Sequence, residues 1–431
     1  MILVALFAVL LVVVLSGIPI ILAIGAIGFF GILAVPDLAA ALFIQRMFAI
    51  LDNFSLLAMP YFILAGALMG HGGISRALVD FAQSVVGHIR GSLGHTSVVA
   101  CMAMANVSGS SAAEAAAIGS IVIPSMKEKG YQPGLAASIV GSSALIGPII
   151  PPSMTMIVYG AMTGVSIGGL FMAGVIPGVM IGVGLMLTIY ALSYLPTYPA
   201  LRQRQPRATL IGIARAARKA WVALLAPIII LGGIFGGVFT ATEAGIVACL
   251  YSFIAAIFVY RQITWRDLPR VFLDAAVTTA MVAGIIAMAG PLGWLLSYLE
   301  FHQIVLDALR SIAASPTTIL LLLLGVMFLL TMFIESLAVL IVLVPVASYV
   351  GTSYSIDPLH LGLLLVIATQ LGALTPPVAL SLFITTSIAK CEFGETVRHC
   401  APFIATIVAV MLLIIYVPAF ATWLPDIALG R

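Results

Sequence analysis

The residues best suited to chemistry are uncharged oxygen donors set deep inside apolar runs. Asn106, Ser108, Gly109, Ser110 and Ser111 fall in the middle of the stretch 93–126, with Glu114 just beyond. Glu335 and Ser336 fall in the middle of 316–350. Hydroxyl, amide and carbonyl oxygens without a strong local charge suit a small hard cation such as Na+. Covalent or acid–base catalysis would need other partners: a Ser with a base, a His cluster, or paired acids on facing helices. The two intramembrane carboxylates, Glu114 and Glu335, lie in separate runs, and the six histidines are scattered at loop edges without metal spacing. The cysteines Cys101, Cys249, Cys391 and Cys400 form no C-x-x-C pair, and no phosphate-binding G-x-x-x-x-G-K-[ST] run occurs. The expectation is therefore not an enzyme, no transition metal, and no ATP bound by this chain in that way.

Donors at mid-bilayer need elements that hold them there. Residues 143–160 and 368–385 are each apolar and long enough to cross a membrane, yet each carries Gly and a Pro pair in its middle. Shifted by 225, Gly147 falls on Gly372, Pro151 on Pro376, Pro152 on Pro377 and Pro177 on Pro402. Proline removes a backbone donor and clashes with the preceding turn, so neither stretch can be one unbroken helix. Freed carbonyls in lipid must find partners, so such breaks persist inside protein or beside a water-filled cavity. A matched pair of broken segments in two halves of a chain points to a transport site.

Composition sets the class. The chain has 431 residues, 63% hydrophobic and 8% charged, with mean hydropathy +1.25. Soluble domains carry roughly 25% charged residues. Apolar runs of about 20 residues, rather than alternating strands of about 10, exclude a barrel. An all-α polytopic membrane protein is expected. The apolar N-terminus lacks a basic n-region and reads as a retained helix; residues 2–34 make either two short passes or one long kinked helix.

Charge sets the orientation. Arg202, Arg204, Arg207, Arg215, Arg218 and Lys219 make 195–219 the plainly basic loop, which the positive-inside rule places in the cytoplasm. It is read as setting topology and contacting anionic lipid of the bilayer, with no nucleic acid involved. Arg90 precedes 93–126, and Lys127 and Lys129 follow it, so this run is read as a hairpin entering and leaving on the cytoplasmic side. The run 316–350 ends without Lys or Arg and is read as its counterpart from outside; shifted by 221, Glu114 falls on Glu335 and Pro124 on Pro345. Counting passes from the basic loop gives the two halves opposite orientations, an inverted repeat with two re-entrant hairpins and two broken helices. The predicted organisation is a first-repeat scaffold and arm helix over 1–92, a first hairpin and broken helix over 93–194 and the basic linker over 195–219. A second scaffold and arm then cover 220–315, and a second hairpin and broken helix 316–431.

Tips and breaks together give the predicted sites. One ion site takes Ser108, Gly109 and Ser110 with Gly147 and Pro148. The other takes Glu335 and Ser336 with Gly372 and Thr375. Asn106, Ser153 and Thr375, with Pro152 and Pro377 beside them, face an organic anion between the two. Small residues also serve as helix-packing glue in membranes, but the match of both hairpins to both breaks favours a site. Glu114 and Glu335 are read as shaping the tips, and Thr240 with Glu243 as a helix cap that reaches back on itself.

The stretches 59–66 (MPYFILAG), 105–126 (ANVSGSSAAEAAAIGSIVIPSM), 146–153 (IGPIIPPS), 237–245 (GVFTATEAG), 332–345 (MFIESLAVLIVLVP) and 370–383 (QLGALTPPVALSLF) resemble the large membrane subunit of tripartite ATP-independent periplasmic (TRAP) transporters, in order and over nearly the whole length. The family commonly has Asp or Glu at the hairpin positions held here by Glu114 and Glu335. The resemblance implies an elevator mechanism, Na+ coupling, and residence in a bacterial inner membrane as a multi-pass protein. It also implies a small four-helix membrane subunit, expected here as a separate polypeptide, and a periplasmic substrate-binding protein that delivers an organic acid. A self-sufficient sodium–anion symporter of similar architecture is the alternative.

Overall fold

A computed structural model describes residues 18–36, 38–71, 73–312 and 315–430, and their regular structure is entirely helical. The chain opens with α1 (Ile20–Leu33) and α2 (Ala41–Leu51), which bends by 63° into the segment carrying α3 (Ala58–His71). The choice between one and two passes over 2–34 falls largely outside the described residues. Next comes α4 (Ile74–Val86), whose buried face is Ile74, Leu78, Val79, Ala82 and Val86. Phe81 and Val85 lie beside that face, with Val85 exposed.

The first hairpin is α5 (Ser92–Ser108) and α6 (Ser111–Glu128), joined at Gly109-Ser110. Gly109 takes φ +54°, a left-handed conformation that glycine adopts at little cost. Ser110 then caps α6 by accepting the Ala113 N–H at 3.4 Å. The first broken span is α7 (Pro133–Ala144) and α8 (Met154–Thr163), followed by the single span α9 (Ile167–Leu192).

Residues 195–209 cross under the first hairpin. Gly91 N–H donates to Leu201 O at 2.6 Å, Gln205 N–H to Gly87 O at 3.0 Å and Gln203 Nε2 to Lys129 O at 3.0 Å. The basic loop is shorter than predicted, because α10 (Leu210–Phe235) already begins at Leu210 and carries Arg215, Arg218 and Lys219 on its first turns. Then follow α11 (Ala241–Ile254), extended by a π turn to Val259, and α12 (Leu268–Tyr298). Thr240 and Glu243 form the reciprocal cap at the start of α11.

The second half repeats the first. An arm helix α13 (Phe301–Ile312) leads to the hairpin α14 (Pro316–Thr331) and α15 (Ser336–Ser353), then to the broken span α16 (Pro358–Leu374) and α17 (Leu380–Ala389). Then come α18 (Phe393–Tyr416) and a separate short helix, α19 (Ala419–Leu429).

The register of the repeat is 225 at the start of the second hairpin helices and of the broken spans. α6 and α15 begin at 111 and 336, and α7 and α16 at 133 and 358. Ser110 therefore corresponds to Glu335, each capping its helix, and the 221 pairing of Glu114 with Glu335 is corrected. The capping positions decide the matter, since both side chains accept an N–H from the third residue on. Between the hairpin bases the chain crosses an odd number of times: the broken α7–α8, then α9, α10, α11 and α12. The bases therefore lie on opposite faces. Two long-range bonds mark this: Lys127 Nζ donates to Ala389 O at 2.6 Å, and Tyr159 Oη to Pro358 O at 3.0 Å. The base of the first hairpin thus meets the far end of the second broken span, and the far half of the first broken span meets the start of the second.

The first halves of the broken spans form the centre. Every residue of α7 after its first is buried, and so are nearly all of α16. A helix apolar on all sides can be buried on all sides. Around them pack the hairpins, with α6 against α17 and α8 against α15. The helices α1, α2, α3 and α12 pack with one another, α11 with α3, and α10 with α4, as a second group.

Candidate functional site

Each tip seats against its own break. A Cβ on Gly109 would lie 2.6 Å from Pro152 O and 3.5 Å from Met154 N. In the second half the tip accepts a bond from the break, Val378 N–H to Met332 O at 3.1 Å. One turn away on each broken span, a glycine admits a polar side chain of the hairpin: Gly147 lies against the Glu114 carboxylate, and Gly372 against Thr331. These close approaches explain why glycine stands at 147 and 372, since neither position has room for a methyl group.

Between the two tip–break junctions and the helices α3 and α12 lies a cavity of about 730 Å³. Four second half-helices start on its wall: α6 through Ser111–Ala113, α8 through Met154 and Thr155, α15 through Ser336 and Leu337, and α17 through Leu380. Each N-terminus presents backbone N–H groups that have no partner within the helix, and the positive end of a helix dipole. Among the described residues no Lys, Arg or His lines the cavity; Asp274 and Glu335 are its carboxylates. The wall thus offers hydroxyls, N–H groups and helix ends that can bind an anion without a cationic side chain.

The cavity reaches the face where residues 195–209 run, along Gly70 of α3 and Asp274 of α12. A lesser cleft of about 350 Å³ lies on the opposite face, between Asp52, Asn53 and Trp294 on one side and Ala161, Met162 and Pro345 on the other. There Asn53 Nδ2 donates to Ala161 O at 2.7 Å.

Of the predicted ion-site residues, Gly109, Ser110, Pro148, Glu335 and Ser336 line the cavity. The Glu335 carboxylate accepts the Ala338 N–H at 3.0 Å and the Ser336 hydroxyl at 3.2 Å, as the N-cap of α15. Glu335 thus caps the second hairpin helix at its tip. Gly147 and Gly372 stand behind the wall, against Glu114 and Thr331. Ser108 ends α5, and its side chain lies outside the described residues. Thr375 caps α16 and donates to Leu371 O at 2.9 Å, away from the cavity.

The residues expected to face an organic anion, Asn106, Pro152, Ser153, Thr375 and Pro377, do not line this cavity. Asn106 turns its amide to its own helix, at Met102 O, 3.1 Å away. Ser153 is fully buried; it donates to Pro148 O at 2.5 Å and caps α8 through Met156 N–H at 3.3 Å. Pro152 turns its carbonyl to Gly109, and Pro377 is exposed beyond the second junction. In their place the wall has Thr155, Asp274, Thr278, Thr331 and Gln370. Gln370 was visible as a polar residue inside an apolar run, a signal that marks pathways in membranes. Asp274 was masked by its place near the start of a span, where an acid reads as interfacial.

The comparisons with known proteins agree with this architecture. Over residues 3–420 the chain matches the family model described as "Tripartite ATP-independent periplasmic transporter, DctM component". It is 39% identical to the C4-dicarboxylate TRAP transporter large permease protein DctM of Pseudomonas aeruginosa, covering 91% of this chain and 90% of that one. It is 35% identical to the sialic acid large permease protein SiaM of Vibrio cholerae, over 90% of each chain. It is 34% identical to the isethionate TRAP transporter permease protein DctMQ of Oleidesulfovibrio alaskensis, covering 94% of this chain and 63% of that longer one. The crystal structure of the Alcanivorax borkumensis YdaH transporter shares the fold, with TM-score 0.64 at 14% identity over 92% of this chain and 90% of that one. The chain is a multi-pass membrane protein of a transporter family rather than an enzyme, and it belongs to the TRAP transporter large permeases.

Proposed function

We propose that the chain is the membrane subunit of a Na+-coupled importer of an organic acid, working as an elevator in the bacterial inner membrane. The observation that carries this reading is the cavity on which four half-helix N-termini converge. Such ends favour carboxylate or sulfonate groups, and the substrates named for the relatives are organic anions. The donor chemistry at the junctions fits a hard monovalent cation. Ser110 and Pro148 at one, and Thr331, Ser336 and Glu335 at the other, offer oxygen alone, and the last carbonyls of α5, α7, α14 and α16 add more. Na+ is carried there as co-substrate, and its charge would favour the anion in the cavity beside it.

The elevator reading is supported by the two openings. The large cavity and the small cleft lie on opposite faces of one boundary, between the hairpins with their broken spans and the helices α12 with α3 at the cavity and α2 at the cleft. In this reading the hairpin body slides along α3 and α12, which are fixed, and the structure is open to the cytoplasm. A small membrane subunit and a periplasmic binding protein complete the system.

Uptake of a labelled organic acid by proteoliposomes tests the reading. Uptake should require an inward Na+ gradient, the small subunit and the binding protein. Full uptake in K+ with only a proton gradient rejects Na+ coupling, and full uptake by this chain alone makes it a self-sufficient symporter.

A further inference from the structure

Asp274 is the one cavity carboxylate on the helices that do not move, in the elevator reading on which this inference rests. It lies six residues into α12, roughly 9 Å along the axis from the cytoplasmic end. The residue is exposed, on the cavity wall. Among the described residues neither Arg266 nor Arg270 forms an ion pair with Asp274. Thr278, one turn on, donates to the backbone carbonyl of Asp274 rather than to its carboxylate. Glu335 differs in both respects. Its carboxylate is taken up by the N-terminus of α15, and it travels with the tips and breaks, facing a substrate in every state.

An acid on the fixed helix α12 faces the substrate only when the hairpin body stands where this structure shows it. We propose that Asp274 is a release residue: its charge lowers the affinity for an organic anion in the cytoplasm-open state alone. With the anion held at the helix ends, Asp274 repels it across a solvated cavity. With the body moved toward the far face, α12 presents Gly290 and Gly293 instead, and the acid on the fixed side of that cleft is Asp52, outside α12. The charge of Asp274 thus acts on unloading inside and not on loading from the far face. One unit charge about 8–10 Å away in a partly solvated site changes a dissociation constant by roughly threefold to tenfold.

The test uses the purified chain with its small subunit in nanodiscs, and succinate, N-acetylneuraminate and isethionate as probes. For a probe that binds the wild type, Asp274→Asn should tighten binding roughly threefold to tenfold at low salt. The gain should shrink as salt rises, as screening requires. Asp274→Glu should behave as wild type. In proteoliposomes Asp274→Asn should lower the maximal uptake rate while leaving half-saturation from outside unchanged. Unchanged binding in Asp274→Asn overturns the release role alone. Weaker binding also overturns it, and makes the carboxylate a ligand for a cationic group on the substrate. If the folded wild type binds none of the probes, the organic-acid reading fails and the release role with it.

Discussion

Gly109→Ala is the sharpest test of the junction between the first tip and the first break. Two costs fall on the added methyl group. The first is backbone strain: φ is +54°, and a left-handed conformation costs an L-residue with a Cβ roughly 1–2 kcal/mol. The second is overlap. The Cβ would stand 2.6 Å from Pro152 O, where ordinary contact begins at 3.4 Å. The obstacle is a backbone carbonyl that cannot rotate out of the way, so tip and break must part by about 0.8 Å, at an overpacking cost of roughly 1–3 kcal/mol. The two together come to about 2–5 kcal/mol.

Gly130→Ala separates them. Gly130 has φ +79° and open space around its Cβ, so it carries the strain without the overlap. Thermal unfolding in detergent and the Na+ dependence of uptake are the assays. Gly109→Ala should melt below Gly130→Ala and require several-fold more Na+ for half-maximal uptake, while Gly130→Ala keeps wild-type Na+ dependence. If the two variants are indistinguishable in both assays, the tip does not seat on the break as described, and the ion site does not depend on that contact.

Other outcomes follow from the same structure. Glu335→Ala removes the cap of α15 and should cost about 1 kcal/mol of stability, while Glu335→Gln keeps an acceptor for Ala338 N–H and should cost less; equal melting of the two variants refutes the capping role. Gly372→Ala forces a methyl group against Thr331 and to 2.6 Å from the Phe328 carbonyl oxygen, and should sharply lower the yield of folded protein and its melting temperature; wild-type melting refutes the close approach. With the native cysteines replaced, Asn53→Cys and Ala161→Cys joined by a short thiol cross-linker should stop uptake, and cleavage of the linker should restore it. Full uptake while cross-linked removes the sliding boundary. Thr240→Ala and Glu243→Ala should each lower the melting temperature, with the double variant well short of the sum because the two bonds form one reciprocal cap.

How much of this was legible beforehand depends on the kind of residue. The breaks were, because a Pro pair interrupts a helix whatever surrounds it. The capping box at Thr240 and Glu243 and the hairpin turn at Gly109-Ser110 were legible for the same local reason. The facing of side chains was not. Spans such as α7 and α16 are apolar on all sides, so no stripe announces an inner face; packing alone turns Ser153 into a buried cap and leaves Thr155 on the cavity wall. The register between halves also needed the folded chain, since Glu114 and Glu335 look alike as letters. One lies buried against Gly147, and the other caps a helix at the cavity. Asp274 joins Ser110 across 164 positions of sequence, a proximity that no local pattern encodes. The sequence by itself determined where the helices stop, because termination is a property of neighbouring residues. Which oxygens share a cavity was decided by the tertiary structure, because that is a property of helices distant in the chain.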